Sequence, residues 1–221
     1  MFYRVFVQAR MSSHRFPGKM LSVVAGRALV DWVLERVSLA VGPDRIVLAT
    51  SDHISDDALA EHVGRAGYQV FRGDLNNVAG RFRACLIRYP ANWIVRICGD
   101  SPLLDPGLIL GLSRLCNPDL DVVTNAQKRT FPAGQSVEFI NARTFEKIDT
   151  AALAPEEQEH LTQVFYRHPD RYRIRNVVGT DPSWPKRSYV VDNKADLDTL
   201  EPLLRAGRFP LYASALTSSV L

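Results

Sequence analysis

The sequence predicts an α/β fold: a three-layer α/β/α sandwich around a mostly parallel sheet. Three observations point to it. Strand-like and helix-like segments alternate four times through residue 116, and right-handed crossovers turn that order into a parallel sheet with helices on both faces. The strand segments are short and nearly continuously apolar, as strands buried on both faces are. Polar residues gather just after them, at the strand ends where open α/β sheets hold ligands.

The elements follow in order. YRVFVQA (3–9) is a first strand that runs into the polar loop RMSSHRFPGK (10–19). Residues 27–40 place Leu29, Trp32 or Val33, Arg36 or Val37 and Ala40 at helical spacing, and Gly42-Pro43 ends that helix. RIVLAT (45–50) is a second strand, followed by a helix over 55–67 that Ser55 is placed to cap, with Asp56 and Asp57 in its first turn. YQVF (68–71), a helix over 77–89 and the strand NWIVRIC (92–98) come next. The tetrad Gly99-Asp100-Ser101-Pro102 breaks that strand, and 106–116 is helical.

After residue 117 the rhythm changes. DLDVVTNA (119–126) is a strand, and 128–142 reads as a strand or hairpin across a Pro132-Ala133-Gly134 turn. That segment is expected to protrude as an arm, and a homodimer is one assembly it would serve. Residues 144–168 read as helix broken near Pro155, and 171–178 as a strand with Arg171, Arg173 and Arg175 on one side. SYVVDN (188–193) is a last short strand, and 194–207 a helix closed by Gly207. TSSVL (217–221) is expected to be loose or to lie against a partner. The chain reads as one domain over 1–221, with halves 1–116 and 117–221.

Composition narrows the class. Of 221 residues 46% are apolar, too many for a disordered chain, and 13 Gly with 13 Pro are far from collagen-like. The net charge is +3, carried by 22 Arg and only 5 Lys. Arg is the side chain that forks onto phosphate and carboxylate, yet +3 is too small for a nucleic-acid footprint. Cys85, Cys98 and Cys116 lie apart in apolar stretches and read as buried hydrophobes, with no disulfide framework. No apolar run approaches a membrane span and MFYRVFVQAR is no signal peptide, so neither membrane insertion nor export is expected and a cytoplasmic location is the default.

The loop Gln8 through Lys19 holds Arg10, His14, Arg15, Lys19 and Gly18 directly after the first strand, a pattern that suits either an anion cradle or a solvated basic loop. It is neither a Walker A loop nor a dinucleotide fingerprint. Asp100, past a central strand, is placed either to hold Mg²⁺ on phosphates or to cap a helix, and Asp105 is the better cap. Asp192 precedes the last helix and is either its cap or a second carboxylate for the same ion. Glu138 faces a sugar hydroxyl or solvent. Glu159 and His160 lie in a helix, where His160 also suits a packing role. No covalent nucleophile is evident.

QARMSSHRFPGKML (8–21), VFRGDLNNVAGRF (70–82) and VRICGDSPLLDP (95–106) resemble, in order, motifs of the cytidylyltransferase family, in its spore-coat polysaccharide biosynthesis branch related to CMP-KDO-type synthetases. Weaker likenesses follow in FPAGQSVEFI, EEQEHLTQVFY and SYVVDNKADLDTL, so the resemblance spans roughly residues 4 to 204. It implies a nucleotide-diphospho-sugar-transferase-like fold, with a nucleotide-binding first half and an acceptor-binding, dimerising second half. It also implies transfer of CMP from CTP to an acidic or phosphorylated sugar-like acceptor, with Mg²⁺. By the same resemblance Arg10, Arg15 and Lys19 hold the triphosphate. Gln8, Ala9, Ser12, Ser13, Gly18, Thr50, Arg72 and Gly73 contact the nucleotide, Asp100 and Asp192 bind the metal, and Glu138, Glu159 and His160 lie toward the acceptor. Departures from the family pattern include Phe16, Cys98, Ala133 and a late motif reduced to Asp192-Asn193-Lys194-Ala195-Asp196. Another nucleotidyltransferase, a glycosyltransferase and a non-catalytic nucleotide-binding protein stay open as alternatives.

Overall fold

A computed structural model describes residues 1–214; the 217–221 expectation lies outside the described residues. β1 (Tyr3–Gln8) leads through the loop to a small antiparallel pair, β2 (Val23–Val24) and β3 (Arg27–Ala28), and then α1 (Leu29–Ser38). β4 (Ile46–Ser51), α2 (Asp57–Arg65), β5 (Gln69–Gly73), α3 (Val78–Arg88), β6 (Trp93–Cys98) and α4 (Pro106–Ser113) complete the alternating half. The second half contributes β7 (Val122–Thr124), β8 (Glu138–Asn141), α5 (Ala142–Glu146), α6 (Pro155–Glu159), α7 (Gln163–Tyr166), β9 (Ile174–Asn176) and α8 (Lys194–Arg205). The sheet has seven strands in the order β5-β4-β1-β6-β8-β7-β9, and only the two pairings of β8 are antiparallel. Among the described residues no helix is long and apolar enough to cross a membrane.

The two faces of the sheet behave differently. Val5, Val7, Val95, Ile97 and Phe139 pack on one face with residues of α1, α4 and α8, and that core runs apolar to the strand ends. On the other face Phe6, Ile94, Ile140 and Val122 pack against α3, α5 and α7. Residues paired across strands share a face, so the register Phe6↔Arg96, Arg96↔Glu138 and Thr124↔Glu138 makes this second face turn polar toward one end. That end is the carboxyl end of the parallel strands.

Four expectations from the sequence are corrected. Segment 128–142 is no protruding arm: only Glu138–Asn141 is strand, and Phe131, Gln135 and Val137 are buried. Gln135 holds it inward, donating from Nε2 to the Leu103 carbonyl (2.8 Å) and accepting at Oε1 from the Asp105 amide (2.8 Å). Residues 144–168 do break before Pro155, but into three short helices rather than two longer pieces, since α5 ends at Glu146 and a further break at His160 separates α6 from α7. Residues 171–178 narrow to the three-residue β9. Residues 188–193 are extended but form no ladder, since their backbone bonds go to two separate loops: Tyr189 to Ala133 (2.9 Å) and Val191 to Asp100 (2.9 Å).

Gly134 sits where that extended segment meets the Pro132 turn. Its φ of 87° is left-handed, and a Cβ there would lie 2.9 Å from the Tyr189 carbonyl carbon. Gly134→Ala is therefore expected to cost about 1–2 kcal/mol in backbone strain alone, lowering Tm by roughly 2–8 °C. Thermal unfolding measures it, and an unchanged Tm would show that the 187–191 segment is not held against this turn.

Candidate functional site

At the carboxyl ends of β1 and β6 the second face opens into a cavity of about 330 Å³. The loop after β1 forms its rim and folds back on itself. Gly18, at φ 76°, donates from its amide to the Met11 carbonyl (2.9 Å), and the Met11 amide donates to Asp56 Oδ1 (2.7 Å). This ring turns Arg10, Ser13, Arg15 and Lys19 toward the cavity, with His14 beside them.

Each cation meets a carboxylate from elsewhere in the chain. Lys19 Nζ donates to Asp100 Oδ2 (2.9 Å) and to the Val191 carbonyl (2.7 Å), and lies 3.8 Å from Asp192 Oδ1. Arg15 pairs with Asp192 (2.8 Å), and Arg10 with Glu159 across the mouth (3.2 Å). The two aspartates are free for this because neighbours do the helix capping. Asp105 Oδ1 accepts from the Gly107 amide (2.9 Å) to cap α4. Asn193 and Asp196 form the capping box of α8, and Asp196 also accepts from the Asp192 amide (2.8 Å).

Most residues selected from the sequence meet here. Gln8, Ala9, Arg10, Ser13, Arg15 and Lys19 line the cavity from the first half. Asp100, Asp192, Glu159 and His160 line it as well. Ser12 and Gly18 belong to the loop but not to the cavity wall. Thr50, Arg72 and Gly73, expected at the nucleotide, lie outside it. Thr50 bonds Asp56 (2.9 Å), Arg72 bonds the Ser51 and His53 carbonyls (3.0 Å each), and Gly73 accepts from the Asp52 amide (2.8 Å). Their polar groups hold the β4–β5 edge together. Glu138 faces neither solvent nor the cavity; it is 3% exposed and pairs with Arg96.

Sequence reasoning passed over three residues. Arg96 lines the cavity, donating to Gln8 Oε1 (2.8 Å) and to Glu138. Its signal was visible: an arginine inside the apolar strand WIVRIC has to find partners. Burial works against its charge, yet the neighbouring Cys98 and Glu138 leave its pKa above the ordinary value. The sequence places Asp56 in the first turn of α2 and Ser55 at its cap. Ser55 bonds His53 Nδ1 instead (2.9 Å), and the buried Asp56 carboxylate turns inward to Thr50, Ser51 and Met11. Arg81, also buried, donates from Nη1 to the Asp74 carbonyl (2.7 Å), while Nε and Nη2 have no partner among the described residues. Burial brings its pKa down to about 10, which still leaves a cation at neutral pH. The cavity's thiol, Cys98, is pushed up to about 11, chiefly by burial, so it stays protonated and is no nucleophile.

The donor set suits a hard divalent cation in one specific way. Asp100 and Asp192 are partly exposed and both flank the Lys19 ammonium. Among the described residues no group of three or more His, Cys, Asp or Glu could hold a metal. Two carboxylates without a third protein ligand match Mg²⁺, which takes its remaining oxygens from phosphates and water.

The cytidylyltransferase family profile matches residues 5–212 of the chain. The spore coat polysaccharide biosynthesis protein SpsF of Bacillus subtilis is 31% identical over 214 residues, covering 92% of this chain and 87% of that protein. The 3-deoxy-manno-octulosonate cytidylyltransferase of Sodalis glossinidius is 30% identical over 198 residues, covering 79% of this chain and 75% of that protein. Among solved structures, a cytidylyltransferase from Leptospira borgpetersenii serovar Hardjo-bovis superposes with a TM-score of 0.88 at 25% identity, over 100% of this chain and 92% of that one.

Asp56 anchors the cationic loop, and its replacement tests that anchor. Burial raises its pKa, but the hydrogen bonds from Ser51, Met11 and Thr50 outweigh burial and bring it below the ordinary value. A depressed folded-state pKa means stabilisation that is full above the unfolded value, about 4, and lost as pH falls through the folded value. Asp56→Asn, which sets an amide N–H₂ against these donors, is expected to cost about 2 kcal/mol at pH 7. Denaturant titrations from pH 7 to pH 2 should show wild type and variant converging on the acid side; a constant gap would refute the assignment.

Proposed function

The chain belongs to the cytidylyltransferase family, and from that premise we propose that it transfers CMP from CTP to an acidic or phosphorylated sugar-like acceptor and releases pyrophosphate. The observation that carries this is the convergence of Arg10, Arg15 and Lys19 on one cavity that Asp100 and Asp192 also line. Three cations at a parallel strand end fit a triphosphate. The names of the two sequence relatives, one a polysaccharide biosynthesis protein and one a sugar-acid cytidylyltransferase, support an acceptor of sugar type.

In this assignment Lys19 and Arg15 neutralise the triphosphate and Arg10 steadies it at the mouth. An oxygen of the acceptor attacks the α-phosphorus, the bond to the bridging oxygen breaks, and pyrophosphate departs with that electron pair. The cationic loop stabilises the charge that grows on the leaving group. Asp100 and Asp192 would hold Mg²⁺, which supplies further charge neutralisation at the phosphate oxygens and would make the proton of an acceptor hydroxyl more acidic. An acceptor that attacks through a phosphate oxygen has no proton to give up; one that attacks through a hydroxyl loses its proton to solvent. The product is an activated sugar for a surface polysaccharide or other glycan.

The test is pyrophosphate release with each of CTP, GTP, UTP and ATP against sugar acids and sugar phosphates, with and without Mg²⁺. Release with CTP and Mg²⁺ is expected. A preference for another nucleotide would assign a different nucleotidyltransferase, and release of a nucleoside phosphate would assign a glycosyltransferase. Lys19→Met should lower turnover about 10²-fold, the loss of one charge-stabilising donor worth about 3 kcal/mol. Undiminished turnover in that variant would remove the loop from the chemistry.

A further inference from the structure

One cation in the cavity is not part of the loop. Arg96 projects from β6, with Nε on Gln8 Oε1 (2.8 Å) and Nη1 on Glu138. Its Nη2 has no hydrogen-bond partner among the described residues, and Arg96 lines the cavity beside Gln8 and Cys98. Behind it, Tyr166 donates its hydroxyl proton to Glu138 Oε1 (2.7 Å), and Thr124 Oγ1 lies 3.2 Å from the same hydroxyl. Burial and the Glu138 charge raise the Tyr166 pKa, so this donor stays a phenol.

We propose that Arg96 is the specificity-determining residue for the acceptor, its Nη2 binding a carboxylate of the sugar-like substrate. The inference rests on the cytidylyl-transfer assignment. Arg10, Arg15 and Lys19 all belong to the loop that faces the triphosphate, which leaves Arg96 as the cation available to the second substrate. Its guanidinium is held at two nitrogens before any ligand arrives, so little further ordering is needed to bind an anion. The charge count favours a carboxylate over a phosphate. Glu138 already offsets much of the guanidinium charge and Arg10 offsets that of Glu159, so this part of the cavity carries little net positive charge and suits a monoanion better than a dianion. Gln8 and Glu138, expected from the sequence to touch ligands, act here as positioning residues for Arg96.

The experiment pairs Arg96→Met with Glu138→Gln, so that no buried carboxylate is left uncompensated, and adds Arg96→Lys alone. Probes are 3-deoxy-manno-octulosonate, its carboxamide and glucose 1-phosphate. Calorimetry measures CTP binding with Mg²⁺, and pyrophosphate release gives KM and kcat for each acceptor. Wild type should favour the acid over the amide by at least about tenfold. The double variant should raise KM for the acid about 10- to 100-fold, change kcat less, abolish the acid-to-amide preference and leave CTP affinity within about threefold. Arg96→Lys should recover part of the preference. A double variant that keeps the preference overturns the proposal. So does a wild type that prefers the phosphate or the amide, or that binds CTP but does not turn over the sugar acid. The wild-type ratio decides the charge requirement even if the double variant fails to fold. Failure of the wild-type chain to bind CTP would instead overturn the cytidylyl-transfer assignment itself.

Discussion

One buried ammonium organises the site. The Lys19 side chain is only 8% exposed, and its partners are 81 residues away at Asp100 and 172 residues away at the Val191 carbonyl. A charge taken out of water is tolerated only where opposite charge and hydrogen bonds replace the solvent. The loop after β1, the end of β6 and the extended segment before α8 must therefore all be in place together, because losing any one leaves an unmatched charge. A lysine suits this position because its three compact donors can satisfy acceptors that arrive from different directions.

A second constraint operates within the sheet. The face that carries Phe6 and Ile94 changes from apolar to polar within one strand step, at Gln8, Arg96 and Glu138. Buried polar groups are acceptable only when every member is bonded, and here Gln8, Arg96, Glu138, Tyr166 and Thr124 form a continuous chain. The result is a rigid polar floor that ends where the cavity begins. Helix capping makes a comparable division of labour: Asp105 and Asp196 bind backbone amides, and the aspartates nearest the cavity remain available.

The alternating first half was legible because each of its elements has its own periodicity and the parallel order follows from connection rules. The loop 10–19 and Asp100 were legible because cations and carboxylates at strand ends are a local pattern. The second half was not. Its strands are short, and residues 188–193 look like a strand but bond to two loops rather than to a ladder. Arg96 and Asp56 were missed for a related reason: each has its effect through partners distant in sequence, such as Glu138 on the neighbouring strand or Met11 on the loop. Thr50 and Arg72 illustrate the opposite case, polar residues at strand ends whose hydrogen bonds are internal, which the local sequence does not reveal.

The three loop cations differ in how easily they can change partners. The Arg15 side chain is 70% exposed, that of Arg10 31% and that of Lys19 8%. Ion pairs open to solvent are worth at most about 1 kcal/mol, so Arg15 and Arg10 can exchange Asp192 and Glu159 for phosphate oxygens at little cost. Lys19 is held in place by a buried pairing shared among three segments, so in the proposed assignment it faces the phosphates from a fixed position. In that assignment an arriving triphosphate would meet two cations free to reorient around it and one already fixed. On the same assignment the exchange would release Asp192 toward a cation that accompanies the phosphates and Glu159 toward the acceptor. The ion pairs at the mouth would thereby act as placeholders: they keep the cavity's charge balanced, and in the proposed assignment they would give way to the polyanion that takes their place.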